Sequence, residues 1–153
     1  MVIANSIVFG LLLFLQTSPN SSFGEGIFTP GETAHLANAR SLDGRIKVYA
    51  DASQRICKKL WETARQEKSD SIPDILKTWT SLLSGSLDDI AANSKSKKKS
   101  KRLINYEIQV RKAINGLMDL KLKAPFEQQD AYDACIAQAE TIRKKFVDIL
   151  FRP

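Results

Sequence analysis

A chain of 153 residues with 43% hydrophobic residues and a mean hydropathy of -0.23 carries enough apolar material for one domain-sized core, which excludes a disordered chain. Seven Gly and five Pro are too few for a turn-rich sheet protein, so the composition favours helices. Lys and Arg number 23 against 17 Asp and Glu, a formal net charge of +6.

The first apolar run, Ile7 to Leu15, is too short for a transmembrane helix, which needs about 20 residues, but suits the core of a secretory signal. Residues 1–6 carry no Lys or Arg, and no Ala-x-Ala site follows. Small residues at Ser22 and Gly24 have cleavage spacing, so processing is expected between Thr17 and Gly24, with 1–24 as signal and cleavage zone. Export to a periplasmic or extracellular space follows from that reading; a buried N-terminal helix is the alternative. No Cys follows the run, so no lipid anchor is indicated.

Residues 20–28, rich in Ser, Gly and Asn, read as a mobile tether, and the span 25–41 as tether or short helix. The sequon Asn20-Ser21-Ser22 falls in the zone to be removed. Thr29-Pro30-Gly31-Glu32 has a capping-box pattern that opens a short helix through Ala39.

Four long amphipathic helices follow. Leu42, Ile46, Tyr49, Ser53, Ile56 and Leu60 recur at spacings of four and three, predicting a helix from 42 to 68, about 40 Å long. Ser69-Asp70-Ser71-Ile72-Pro73-Asp74 then marks a new start, and Ile72, Leu76, Trp79, Leu83, Leu87 and Ile90 continue as a second stripe. Gly85 costs roughly 1 kcal/mol relative to Ala within a helix, so a kink or a restart at Ser86 is expected as an alternative. In the third helix Leu103, Tyr106, Val110, Ala113, Leu117, Leu120 and Ala124 form one row, with Ile104, Ile108, Met118 and Leu122 beside it. That breadth predicts the most enclosed helix, covered within the fold or by a second chain. Pro125 disfavours helix at Ala124, and a fourth helix spans 127 to 151 on Tyr132, Cys135, Ala139, Ile142, Phe146 and Ile149.

Helices of similar length on short turns predict an all-α, up-down-up-down antiparallel four-helix bundle over 42–153. Its hairpins are 42–93 and 103–153, joined by a basic loop at 94–102. With the first and fourth helices adjacent, Cys57 and Cys135 would differ in height by only about 5 Å. The two cysteines could then form a disulfide, the alternative being two buried thiols.

The basic loop is the sharpest candidate contact surface. Lys95, Lys97, Lys98, Lys99, Lys101 and Arg102 make six of its nine residues basic, and without them Lys and Arg would equal the 17 acids. Lysines neutralise anionic headgroups or phosphates, but no aromatic between Ala92 and Ile104 offers a stacking surface, and no helix-turn-helix pattern is present. Partners are therefore expected among anionic surfaces or acidic proteins, with nucleic acid disfavoured; a solvated connector is the plainer reading. No transmembrane span is expected.

Candidate chemistry is sparse. His35 is the only histidine, so no metal site is expected. Asp88-Asp89 and Asp130/Asp133 read as solvated or helix-dipole acids. The Ser-x-x-Lys matches around Ser94 are what a lysine run produces by chance. Trp61 and Trp79 read as packing anchors. No catalytic residue and no cofactor are indicated.

The signal-like start, Leu42-Asp43-Gly44-Arg45-Ile46-Lys47-Val48-Tyr49, Tyr106 to Lys112 and Ile142 to Phe151 together resemble uncharacterised exported helical-bundle proteins of bacteria. The resemblance implies no activity and no site residue. The function expected is a non-enzymatic structural or binding component of a cell envelope, the alternative being a peripheral module that binds an anionic surface through 94–102.

Overall fold

The computed structural model describes residues 23–66, 69–94 and 99–152, and every regular element among them is helical. The order is α1 (Pro30–Asn38), α2 (Leu42–Arg65), a 3-10 turn (Ser69–Ser71), α3 (Ile72–Asn93), α4 (Lys101–Lys123) and α5 (Phe126–Leu150). The all-α expectation holds. The signal-like segment and the side chains of Lys95, Lys97 and Lys98 lie outside the described residues.

Local chemistry accounts for the helix ends. The Thr29 hydroxyl accepts from the Glu32 amide while the Glu32 carboxylate accepts from the Thr29 amide, closing a capping box on α1. Ser41 and Ser100 cap α2 and α4 by accepting from the amides of Gly44 and Leu103. Pro125 stops α4, and α5 begins at the next residue.

The stripes meet in one core. Trp79, Tyr106, Tyr132 and Phe146 are its largest fully buried side chains. Two of them find polar partners inside: the Trp79 indole N–H donates to Ser53 Oγ at 2.8 Å, and the Tyr106 and Ser86 hydroxyls lie 3.1 Å apart.

Cross-links set the helix directions. Arg45 meets Asp89 and Ser53 meets Trp79, so α2 and α3 are antiparallel; Arg143 meets Glu107 and Lys121 meets Asp133, so α4 and α5 are antiparallel. Asp43 meets Ser100 at one end and Trp61 covers Gly116 toward the other, so α2 and α4 run parallel. The main partners of both α2 and α5 are α3 and α4. Helices α2 and α5 therefore face each other across the core instead of lying side by side.

That arrangement overturns the disulfide. Cys57 on α2 and Cys135 on α5 are buried and free, and they are not at bridging distance. Neighbouring axes about 8–10 Å apart put opposite axes roughly 13 Å apart, and Cα atoms at a radius of about 2.3 Å then approach no closer than about 8 Å, beyond the limit of about 7 Å for a bridge. Burial pushes both thiols up to about 12, with the Cys135 charge adding to the rise at Cys57, so both are protonated at neutral pH.

Helix α3 runs unbroken through Gly85, and Ser86 starts no new helix; its hydroxyl donates to Leu83 O. The glycine serves a close approach: a Cβ there would lie 1.8 Å from the Phe23 ring. Phe23 meets Phe28 edge-on at 5.7 Å, and both rings lie against Tyr49. Ile27 is buried, its carbonyl accepting from Arg55 Nη2 at 2.7 Å, and Arg55 also pairs with Glu32. Residues 23–28, expected as a tether, are a strap docked on α2 and α3. Gly85→Ala is expected to raise the helical propensity of α3 by about 1 kcal/mol while expelling Phe23. Limited proteolysis should then cut the variant between 23 and 40 far faster than the parent, while the global unfolding midpoint changes little because the lost ring burial opposes the gain in helix propensity. Unchanged cutting would contradict the dock.

The expectation that α4 is the most enclosed helix also fails. Its second row turns outward: Ile104 and Ile108 are half-buried, Met118 is 44% exposed and Leu122 81%. The row through Tyr106, Val110, Ala113 and Leu117 already fills the inward face, and the second lies nearly a quarter turn or more away at 100° per residue.

Candidate functional site

The basic stretch occupies the connection from α3 to α4, at the end where α2 begins. Its exit is pinned: Ser100 Oγ donates to Asp43 at 2.7 Å while accepting from the Leu103 amide at 3.1 Å. Lys99, Lys101 and Arg102 are exposed beside that pin.

The stretch is joined there by the end of the chain. Lys99 Nζ stands 4.4 Å from the centroid of the Phe151 ring, a cation–π distance. Phe151 is 66% exposed and is followed by the exposed Arg152, with the exposed Lys144 and Lys145 within two turns of the end of α5. Among the described residues none of these six cations has a carboxylate partner. The pole thus offers exposed positive charge together with an exposed aromatic ring. Phe151 answers the missing aromatic of the loop; being 52 residues beyond Lys99, it could have been found only by knowing that α4 and α5 are antiparallel.

Behind the pole lies a polar knot. Arg45 donates from Nε and Nη2 to Asp89 at 2.7 and 3.0 Å, and Tyr49 and Asn93 donate to the same carboxylate, both at 2.7 Å. Burial alone would raise the Asp89 carboxyl, but the hydrogen bonds from Arg45, Tyr49 and Asn93 and the Arg45 charge outweigh it and hold Asp89 below the usual range. Its acceptor sites are filled, so it stabilises structure and is unavailable as a base. A carboxyl with a depressed folded pKa contributes stability above its unfolded value of about 3.9, and the contribution is lost as pH falls through the folded value. Glu32 behaves alike: burial opposes, and the hydrogen bonds and charge of Arg55 together with the Thr29 bonds prevail. Asp89→Asn is accordingly expected to be less stable than the parent at pH 7, with the gap closing below about pH 4 in urea melts. A gap independent of pH would contradict the assignment.

The remaining candidates are dispersed over the fold. His35 is exposed on α1, and among the described residues no group of three potential metal ligands occurs. Asp88 and Asp130 are exposed, and Asp133 pairs with Lys121. Trp79 is core at 1% exposure, whereas Trp61 is half-buried over Gly116. The periodicity gave no warning of one buried ionisable group, Glu107, which accepts from Arg143 Nη1 at 2.9 Å. Among the described residues no helix is long and apolar enough to cross a membrane. Comparison of the chain with family models, curated proteins and solved structures returns no match.

Proposed function

We propose that this is a non-enzymatic, exported helical protein of a cell envelope that docks on anionic lipid headgroups through its basic pole. The observation that carries the reading is the Lys99–Phe151 contact, which sets an exposed aromatic ring against a lysine of the basic stretch, with Arg152 the next residue in sequence. Cations attract an anionic surface over about a Debye length, and an aromatic ring at the headgroup level adds short-range apolar burial. Lys95, Lys97 and Lys98 extend the charge in sequence. An up-down-up-down four-helix bundle belongs to the same proposal, supported by the antiparallel pairs α2/α3 and α4/α5. It differs from the sequence expectation in that the basic connection spans a diagonal from α3 to α4. Export rests on the Ile7 to Leu15 run and on the resemblance to exported bacterial helical proteins. The non-enzymatic reading draws on Asp89 and Glu107 being engaged by arginines.

Co-sedimentation of the purified protein with vesicles tests the docking. Binding to vesicles rich in phosphatidylglycerol, weak binding to pure phosphatidylcholine, and loss at high salt are expected. Equal binding to both lipids would sink the idea. A preference for polyanionic nucleic acid or for an acidic protein over the charged vesicles would replace the lipid by that partner. Fractionation of the native protein tests export, which requires the processed chain outside the cytoplasm.

A further inference from the structure

A second site lies at the opposite pole. Helices α2 and α4 run parallel and end together at Arg65 and Lys123, and between them and the first turns of α3 and α5 is an open groove of about 570 Å³. Its walls are mostly apolar, with Trp61, Ala64 and Leu120 joined by Ala124 and Pro125 from the α4–α5 turn and backed by the buried Ile72 and Tyr132, while Thr63 and Gln128 add polar groups. Gly116 shapes it, because a Cβ there would come within 2.5 Å of the Trp61 ring, and the glycine lets the indole approach α4 closely.

Charge at the mouth is uneven. Arg65, Lys123 and Asp119 stand on the rim, and among the described residues none of the three has an ion-pair partner. The cations suit the C-terminal helix ends. They also leave a guanidinium and an ammonium facing solvent at the entrance of an apolar groove. A volume of this size lies within the range of small-molecule sites, where apolar walls hold the body of a ligand and a few polar groups orient its head. The same turn exposes Leu122 at 81% and Phe126 at 84%, so apolar surface continues next to the groove in sequence.

We infer that this groove binds a single-chain acidic amphiphile, with its hydrocarbon on Trp61, Leu120 and Pro125 and its carboxylate or phosphate between Arg65 and Lys123. The inference rests on the groove alone and stands whether or not the basic pole docks on lipid. Trp61 supplies the readout, since the other tryptophan, Trp79, is sealed in the core.

The test is titration of the full chain with dodecanoate and dodecyl phosphate below their micellar limits and with dodecanol below its solubility limit, following tryptophan emission. Saturable shifts with the two acids, and binding at least threefold weaker for dodecanol, are expected; the stronger acid identifies the head group. Within an acyl series each pair of added methylenes should tighten binding about tenfold until the groove is full. Trp61→Phe should abolish the spectral response while isothermal titration still detects binding, and its far-ultraviolet dichroism checks the fold. Arg65→Gln with Lys123→Gln should weaken the acids and not dodecanol. Neutralising the basic loop should leave the titration unchanged, which separates failure here from failure of the docking reading. Absence of saturation below the micellar limit, or equal affinity in the parent and the Arg65/Lys123 double variant, would overturn the inference.

Discussion

Replacing Lys95, Lys97, Lys98, Lys99, Lys101 and Arg102 together by neutral residues is expected to weaken binding to anionic vesicles by at least three orders of magnitude. A basic residue close to an anionic bilayer contributes about 1 kcal/mol, so six contribute up to about 6 kcal/mol, with the more distant ones contributing less. The loss should appear as a collapse of the salt dependence: the parent releases bound counterions on docking and the variant has few to release. Folding should survive, because Lys99, Lys101 and Arg102 are exposed and among the described residues have no acidic partner, while the Ser100 cap and its bond to Asp43 are untouched. Vesicle binding within threefold of the parent, with the same salt slope, would remove the loop from the docking surface.

The second large effect is on stability. Trp79→Ala is expected to cost about 4 kcal/mol, a large share of the 5–15 kcal/mol that holds a domain of this kind folded. The side chain is 1% exposed at the seam of α2 and α3, and its removal leaves a cavity that the Leu82 and Leu83 side chains, themselves fully buried, cannot collapse to fill. The deletion also strips Ser53 Oγ of the indole donor held at 2.8 Å. Trp79→Phe separates the two contributions by keeping a ring and losing the donor, and should cost less than half as much. Urea unfolding measures both. A loss under about 1.5 kcal/mol for Trp79→Ala would mean that the core is looser than the structure has it.

Helix positions were legible in the sequence because the information is local. The four-and-three stripe of α2, the Thr29 capping box and the Ala124-Pro125 stop each act within a few residues of the boundary they set. Which helices become neighbours is not local. A stripe says which face turns inward but not which helix it meets, so the equal heights of Cys57 and Cys135 suggested a bridge that helices facing each other across the core do not allow. Gly85 shows a related ambiguity: propensity reads it as a breaker, and only the distant Phe23 reveals that the missing Cβ makes room for a ring. The outward row of α4 failed for a different reason. Met118 and Leu122 are apolar, and nothing in their spacing distinguishes a second inward row from an apolar flank that the fold leaves uncovered.

At the site, the charge was legible and the ring was not. Six basic residues in nine announce themselves, whereas Phe151 joins them only through the antiparallel return of α5. That contact is the centre of the account, and Phe151→Ala tests it most directly. Partial burial of the ring at a headgroup surface is worth about 1.5 kcal/mol, so the vesicle association constant should fall about tenfold with the salt slope unchanged. An association constant equal to that of the parent would contradict a surface shared by the loop and the end of the chain.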